Sequence, residues 1–115
     1  MVHVRDILLI KHAVGGRVIV DTRITSVPWK FEADPDGGGQ FTVTIRDKET
    51  GHEAVRLAYE LNVFIFRQAD DQIVSKIWHY VDGKTVHYDE NSGELRFAVR
   101  KSIQYTDEKI SKNGT

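Results

Sequence analysis

The sequence predicts an all-β domain, an antiparallel β-sandwich or small barrel of about eight strands built from successive hairpins. Three observations carry that expectation. Apolar residues recur with the two-residue period of half-buried strands along most of the chain. Turn-forming clusters interrupt the pattern at short intervals: Gly15-Gly16, Asp34 to Gly39, Lys48 to Gly51, Asp82-Gly83 and Glu90 to Gly93. The chain of 115 residues suits one core, with no internal repeat and no linker to divide it. A single β domain over 1–105 followed by a polar tail over 106–115 is the expected organisation.

The elements follow in order. Val4 to His12 is an apolar strand joined through Gly15-Gly16 to Arg17–Ile24, in which Val18, Val20, Thr22 and Ile24 alternate with Arg17, Asp21 and Arg23. Val27, Trp29, Phe31 and Ala33 alternate with Pro28, Lys30 and Glu32, and Pro28 places that strand at a sheet edge because proline has no N–H to donate. Asp34 to Gly39 is a loop. Phe41, Val43 and Ile45 then alternate with threonines, and Val55, Leu57, Tyr59, Leu61, Val63 and Ile65 alternate with polar residues. A type I turn with a glycine bulge at Lys48-Glu49-Thr50-Gly51 would pair Ile45 with Val55, Val43 with Leu57 and Phe41 with Tyr59.

A helix over His52 to Leu61 competes with this hairpin. Glu53, Ala54, Arg56, Leu57, Ala58 and Leu61 are good helix formers, and Ala54, Leu57, Ala58 and Leu61 share a helical face. The unbroken alternation to Ile65, matched rung for rung by the preceding strand, favours the hairpin.

Asp70-Asp71 reads as a turn before Ile73 to Val81, and Asp82-Gly83 as a hairpin into Lys84 to Tyr88. A two-residue turn there puts Trp78, Tyr80, Thr85 and His87 on one face, whereas a bulged turn exchanges the faces; sequence leaves both registers open. Ile73 to Val81 has apolar residues on both faces, so a cover on both sides is expected. Glu90 to Gly93 turns the chain into a last strand through Leu95, Phe97, Val99, Lys101, Ile103 and Tyr105.

Composition excludes several functions. Without cysteine there is no disulfide framework, thiolate metal site or cysteine nucleophile. With 40% apolar and 29% charged residues the composition is that of an ordinary soluble globular protein, and a cytoplasmic location is expected. Sixteen Lys and Arg against seventeen Asp and Glu give a net charge of −1, so no duplex nucleic acid or anionic membrane is expected as partner. Ile7 to Ile10 is far too short an apolar run to span a bilayer.

Chemistry-bearing constellations are equally sparse. His3, His12, His52, His79 and His87 form no His-x-His pair with a nearby carboxylate, so no metal is expected. Asp34 and Asp36 have loop-cation spacing but too few oxygens for calcium. None of the serines stands in a nucleophile motif, no glycine loop precedes a helix, and no catalytic residue or cofactor is expected.

The expected function is therefore a non-catalytic module that acts through protein–protein contact, with itself as a homo-oligomer or with another protein. Phe64 and Phe66 share a face with Asn62 and Glu60, opposite the expected core. Burying two such rings contributes roughly 2–3 kcal/mol each, so they are expected against a partner subunit or a second sheet. Lys76, Trp78, Tyr80 and His87 complete the candidate interface. A barrel enclosing an apolar small molecule is the first alternative, lined by Trp29, Phe31, Tyr59, Trp78 and Tyr88, although the mostly large inward residues favour a filled interior. A single-strand nucleic-acid groove, with Arg96, Arg100 and Lys101 beside the aromatics, and a metal-dependent enzyme are the remaining alternatives.

Overall fold

A computed structural model of the chain describes residues 3–33 and 40–101. Eight strands alternate with turns: β1 (Val4–His12), β2 (Val18–Asp21), β3 (Trp29–Ala33), β4 (Gln40–Arg46), β5 (Leu61–Ala69), β6 (Gln72–Val81), β7 (His87–Asp89) and β8 (Glu94–Lys101). One helix, α1 (Lys48–Leu57), and 3-10 turns at Ala58–Glu60 and Gly83–Thr85 complete the elements of the described residues. The strand order is β2-β1-β5-β6-β8-β4-β3, with β7 beside β8 and every ladder antiparallel.

This order resolves into two four-stranded halves, consistent with a sandwich. β2-β1-β5-β6 meets β7-β8-β4-β3 at a short seam, where His79, Tyr80 and Val81 pair with Lys101, Arg100 and Val99. The inner faces close on one core: Leu8, Ile10, Val20, Val63 and Ile65 from the first half, Val43, Ile45, Leu95, Phe97 and Val99 from the second. Trp29, Phe31 and Phe41 form an aromatic row along its rim, with ring centroids 6.1 and 5.7 Å apart. Each fully buried aliphatic side chain contributes about 1.5–3 kcal/mol, so the core outweighs any single polar contact. Among the described residues, Phe97, Ile7, Leu8, Ile10, Ile45 and Leu95 are the largest fully buried side chains.

The two-residue period was a sound guide to the strands. β1 and β2 pair across the Gly15-Gly16 turn, β3 lies at a sheet edge just after Pro28, and β7 and β8 pair across Glu90 to Gly93. Asp70-Asp71 closes the β5–β6 hairpin, with Asp70 at φ +53° and its backbone N–H donating to the His3 carbonyl at 2.8 Å.

Two expected hairpins are corrected. After β4 the chain forms α1 rather than a strand. Asp47 caps it, its carboxylate accepting from Thr50 N–H at 3.0 Å and from the Thr50 hydroxyl at 2.6 Å. Thr50, Gly51 and Ala54 turn the helix's narrow face onto the sheet, while Val55 and Tyr59, inward in the hairpin reading, are 45% and 79% exposed. β4 has no edge left for that hairpin, because β3 pairs along one side (Phe31 with Val43) and β8 along the other (Phe97 with Val43).

Asp82-Gly83 likewise does not fold β6 back on Lys84–Tyr88. Asp82 N–H donates to the Ala98 carbonyl at 3.0 Å, and the Thr85 hydroxyl accepts from Ala98 N–H at 2.8 Å. Both ends of the 3-10 turn are thereby tied to β8, and β7 joins β8 instead of β6. Neither register proposed for that hairpin forms. The Asp34–Gly39 loop, the continuation of the last strand to Tyr105 and the 106–115 tail lie outside the described residues.

Candidate functional site

Phe64 and Phe66 stand on the outer face of β5, on the side away from Val63 and Ile65. They are not equivalent. Phe66 pairs with Ile7 and is only 5% exposed, so the chain itself covers this ring without a partner. The Arg23 guanidinium lies 5.2 Å from its centroid. Phe64 pairs with Leu9 and is half-buried, with Lys11 Nζ 5.9 Å from its ring centre.

Asp21 sets the position of Arg23. Its buried carboxylate accepts from Arg23 N–H at 3.0 Å, Nε at 2.9 Å and Nη2 at 2.7 Å. Hydrogen bonding to Arg23 holds the Asp21 carboxyl below its ordinary value, against the opposing effect of burial.

Lys76, Trp78 and Tyr80 belong to β6, where their backbones pair with Phe66, Phe64 and Asn62; their side chains lie outside the described part of the structure. His87 stands apart from them, exposed on β7 and paired with Arg96. The structure thus brings the β5 and β6 members of the expected interface into one ladder and removes His87 to the other half.

The structure specifies the condition of β6, which the sequence marks by apolar residues on both faces. Its Gln72–Trp78 stretch pairs with β5 along one side, and among the described residues nothing pairs with its other side, since β8 engages only His79–Val81. Neighbouring Ile73 and Val74 are 51% and 57% exposed, and Val4 nearby is 56% exposed. Apolar residues on both faces of Ile73 to Val81 were the sequence signal for this.

A second feature lies on the opposite half. His52, Val55 and Arg56 of α1 and Val86, His87, Tyr88 and Glu90 line a cleft of about 490 Å³. The His52 ring meets Tyr88 edge-on with centroids 5.0 Å apart, and His52 Nε2 lies 3.2 Å from Glu90 Oε1. The Tyr88 hydroxyl is buried and has no hydrogen-bond partner among the described residues; burial raises its pKa, helped by Glu90 and Asp47. No protein family, curated protein or solved structure matches this chain. The chemistry of its surfaces must therefore speak for the function.

That chemistry is sparse elsewhere. The outer face of β3, β4 and β8 is a shallow depression of about 390 Å³ whose charges satisfy one another: Lys30 with Glu32 at 3.2 Å and Arg96 with Glu94 at 2.8 Å. Arg96, one of the bases expected for a nucleic-acid groove, is thus occupied. No cluster of three or more His, Asp and Glu side chains among the described residues has the arrangement to hold a metal ion. None of the described helices is long and apolar enough to cross a membrane. The α1 side of the cleft was hidden from the sequence by the strand reading, because His52, Val55 and Arg56 share a face only at helical spacing.

Proposed function

We propose that this protein is a non-catalytic module that acts by self-association, with the edge of β6 taking the same edge of a second copy in antiparallel fashion. The observation that carries this reading is that, among the described residues, Gln72–Trp78 pairs along one side alone, together with the half-exposed Ile73 and Val74. An unpaired strand edge presents a row of N–H and C=O groups that templates another strand unless the chain protects it.

Comparison with the other outer strands of the described residues supports β6 as the one used; β7 is only the three residues His87–Asp89. β3 begins behind Pro28 and carries the exposed pair Lys30 and Glu32, which are common edge protections. β2 spans only Val18–Asp21 and is succeeded by a tight turn. Gln72–Trp78 has no proline or glycine and only Lys76 as a charge. A second copy suits it because two-fold symmetry makes identical edges antiparallel, and a net charge of −1 adds little repulsion between copies.

Light scattering across a concentration series tests the reading. The full chain is expected to approach twice 13.1 kDa, and Ile73→Lys with Val74→Lys to return it to the single-chain mass with unchanged circular dichroism. A wild-type chain that stays monomeric at millimolar concentration, or a double variant that still associates, overturns it.

A further inference from the structure

β8 leaves the described residues beside the open edge of β6. The two strands are antiparallel, and His79 pairs with Lys101, the last described residue of β8. In such a pair, the chain after Lys101 and the chain before His79 run along the same line. The stretch before His79 is 72–78, whose side away from β5 has no ladder partner among the described residues. Residues 102–115 follow Lys101.

Parity and composition suit the first of these residues to that edge. Leu95, Phe97 and Val99 are buried in the core, so odd positions of β8 face inward. Ile103 and Tyr105 keep that parity, with Ser102 and Gln104 at the even positions between. The ladder also sets what they would meet. Extending the register of His79 with Lys101 sets Ser102 opposite Trp78, Ile103 opposite Ile77, Gln104 opposite Lys76 and Tyr105 opposite Ser75. Ile103 then ends the row Leu8, Ile65, Ile77, whose first two members belong to the core. A segment joined directly to β8 closes no loop to reach this edge, whereas a second copy bears the full entropic cost of association.

We propose that residues 102–105, outside the described residues, continue β8 along β6 and hold the backbone groups of 75–78 within the chain. They compete there with a second copy, so the chain's own next segment holds self-association back. That control rests on β6 being the edge a second copy takes; the pairing within the chain does not. Positions 72–74, with the exposed Ile73 and Val74, lie beyond Tyr105 in this register and stay open to the partner.

Amide hydrogen exchange of the full chain, at a dilution where light scattering gives the single-chain mass, tests this. Amides of 75–78 that point away from β5 are expected to be protected. Ile103→Pro with Tyr105→Pro, which removes two N–H groups from the ladder, is expected to speed their exchange at least tenfold with unchanged circular dichroism. Lys109→Pro, beyond the pairing, is expected to change nothing. The double proline variant is also expected to associate at a concentration at least tenfold lower than the wild type. Because the chain has no cysteine, disulfides give a second readout. Ile77→Cys with Ile103→Cys, and Lys76→Cys with Gln104→Cys, are adjacent pairs, so one of them is the closer, non-hydrogen-bonded kind. Oxidation is expected to close at least one of them within a single chain. Unprotected wild-type amides, exchange untouched by the prolines, or disulfides that form only between two chains overturn the pairing. If the prolines free the amides and neither chain associates at millimolar concentration, the pairing stands and the self-association reading falls. If they free the amides and the two chains associate alike, the control falls.

Discussion

Gly51 lies so close beneath the ring of Tyr88 that a β-carbon at position 51 would collide with Cγ, Cδ1 and Cε1 of that ring. Helix α1 approaches the β7 strand only because this residue has no side chain. In an ordinary helix interior, Gly→Ala stabilises by about 0.5–1 kcal/mol. At position 51 the sign reverses: Gly51→Ala is expected to destabilise by about 1–3 kcal/mol, the usual cost of overpacking. The clash is with a side chain, so Gly51→Ala in a Tyr88→Ala background is expected to be neutral or favourable. Urea denaturation of the two singles and the double gives the coupling; equal costs in both backgrounds would refute the contact.

The same tyrosine carries a second consequence. Its hydroxyl is buried without a hydrogen-bond partner among the described residues, and a polar group in that position opposes folding. Tyr88→Phe removes the oxygen and keeps the ring on Gly51. The variant is expected to melt a few degrees above the wild type. A lower melting temperature would mean that the hydroxyl does useful bonding.

Asp21 and Arg23 set an acid limit to stability. Arg23 lowers the Asp21 carboxyl below its ordinary value, so the folded state binds the proton less readily than the unfolded one. The stabilisation is therefore complete above the unfolded value near pH 4 and is lost as pH falls through the lower native value. Asp21→Asn is expected to cost about 2 kcal/mol at pH 7 and to flatten the fall in stability below about pH 4. Urea midpoints measured across that range, with an unchanged acid slope as the contrary outcome, decide it.

Much of the sheet was legible locally. The apolar run from Ile7 to Ile10, the Gly15-Gly16 turn and the Glu90–Gly93 turn each specify structure within a dozen residues, and each appears where expected. Pro28 marked β3 as an edge because a missing N–H is tolerated only there. Lys48–Gly51 was ambiguous for a physical reason. The Asp47-to-Thr50 spacing that caps a helix also suits a turn, and Val55, Leu57, Tyr59 and Leu61 read as alternation although Ala54 and Leu57 sit one helical turn apart.

The candidate sites were less legible than the fold. Phe64 and Phe66 look alike in sequence, yet Arg23, brought over by the turn after β2, covers one of them. Arg17, from the connection between β1 and β2, binds both carboxylate oxygens of Glu53 on α1, a pairing between residues far apart in the chain.

By itself, then, the chain's own sequence determined which residues alternate into strands and where the tightest turns fall, since backbone sterics and side-chain period act over a few neighbours. Tertiary structure decided which strands meet. β4 has two edges and both are occupied by β3 and β8, so the segment after it, with no ladder to join, satisfied its backbone within itself as α1. Competition for strand edges is a property of the whole sheet, and no window of local sequence contains it.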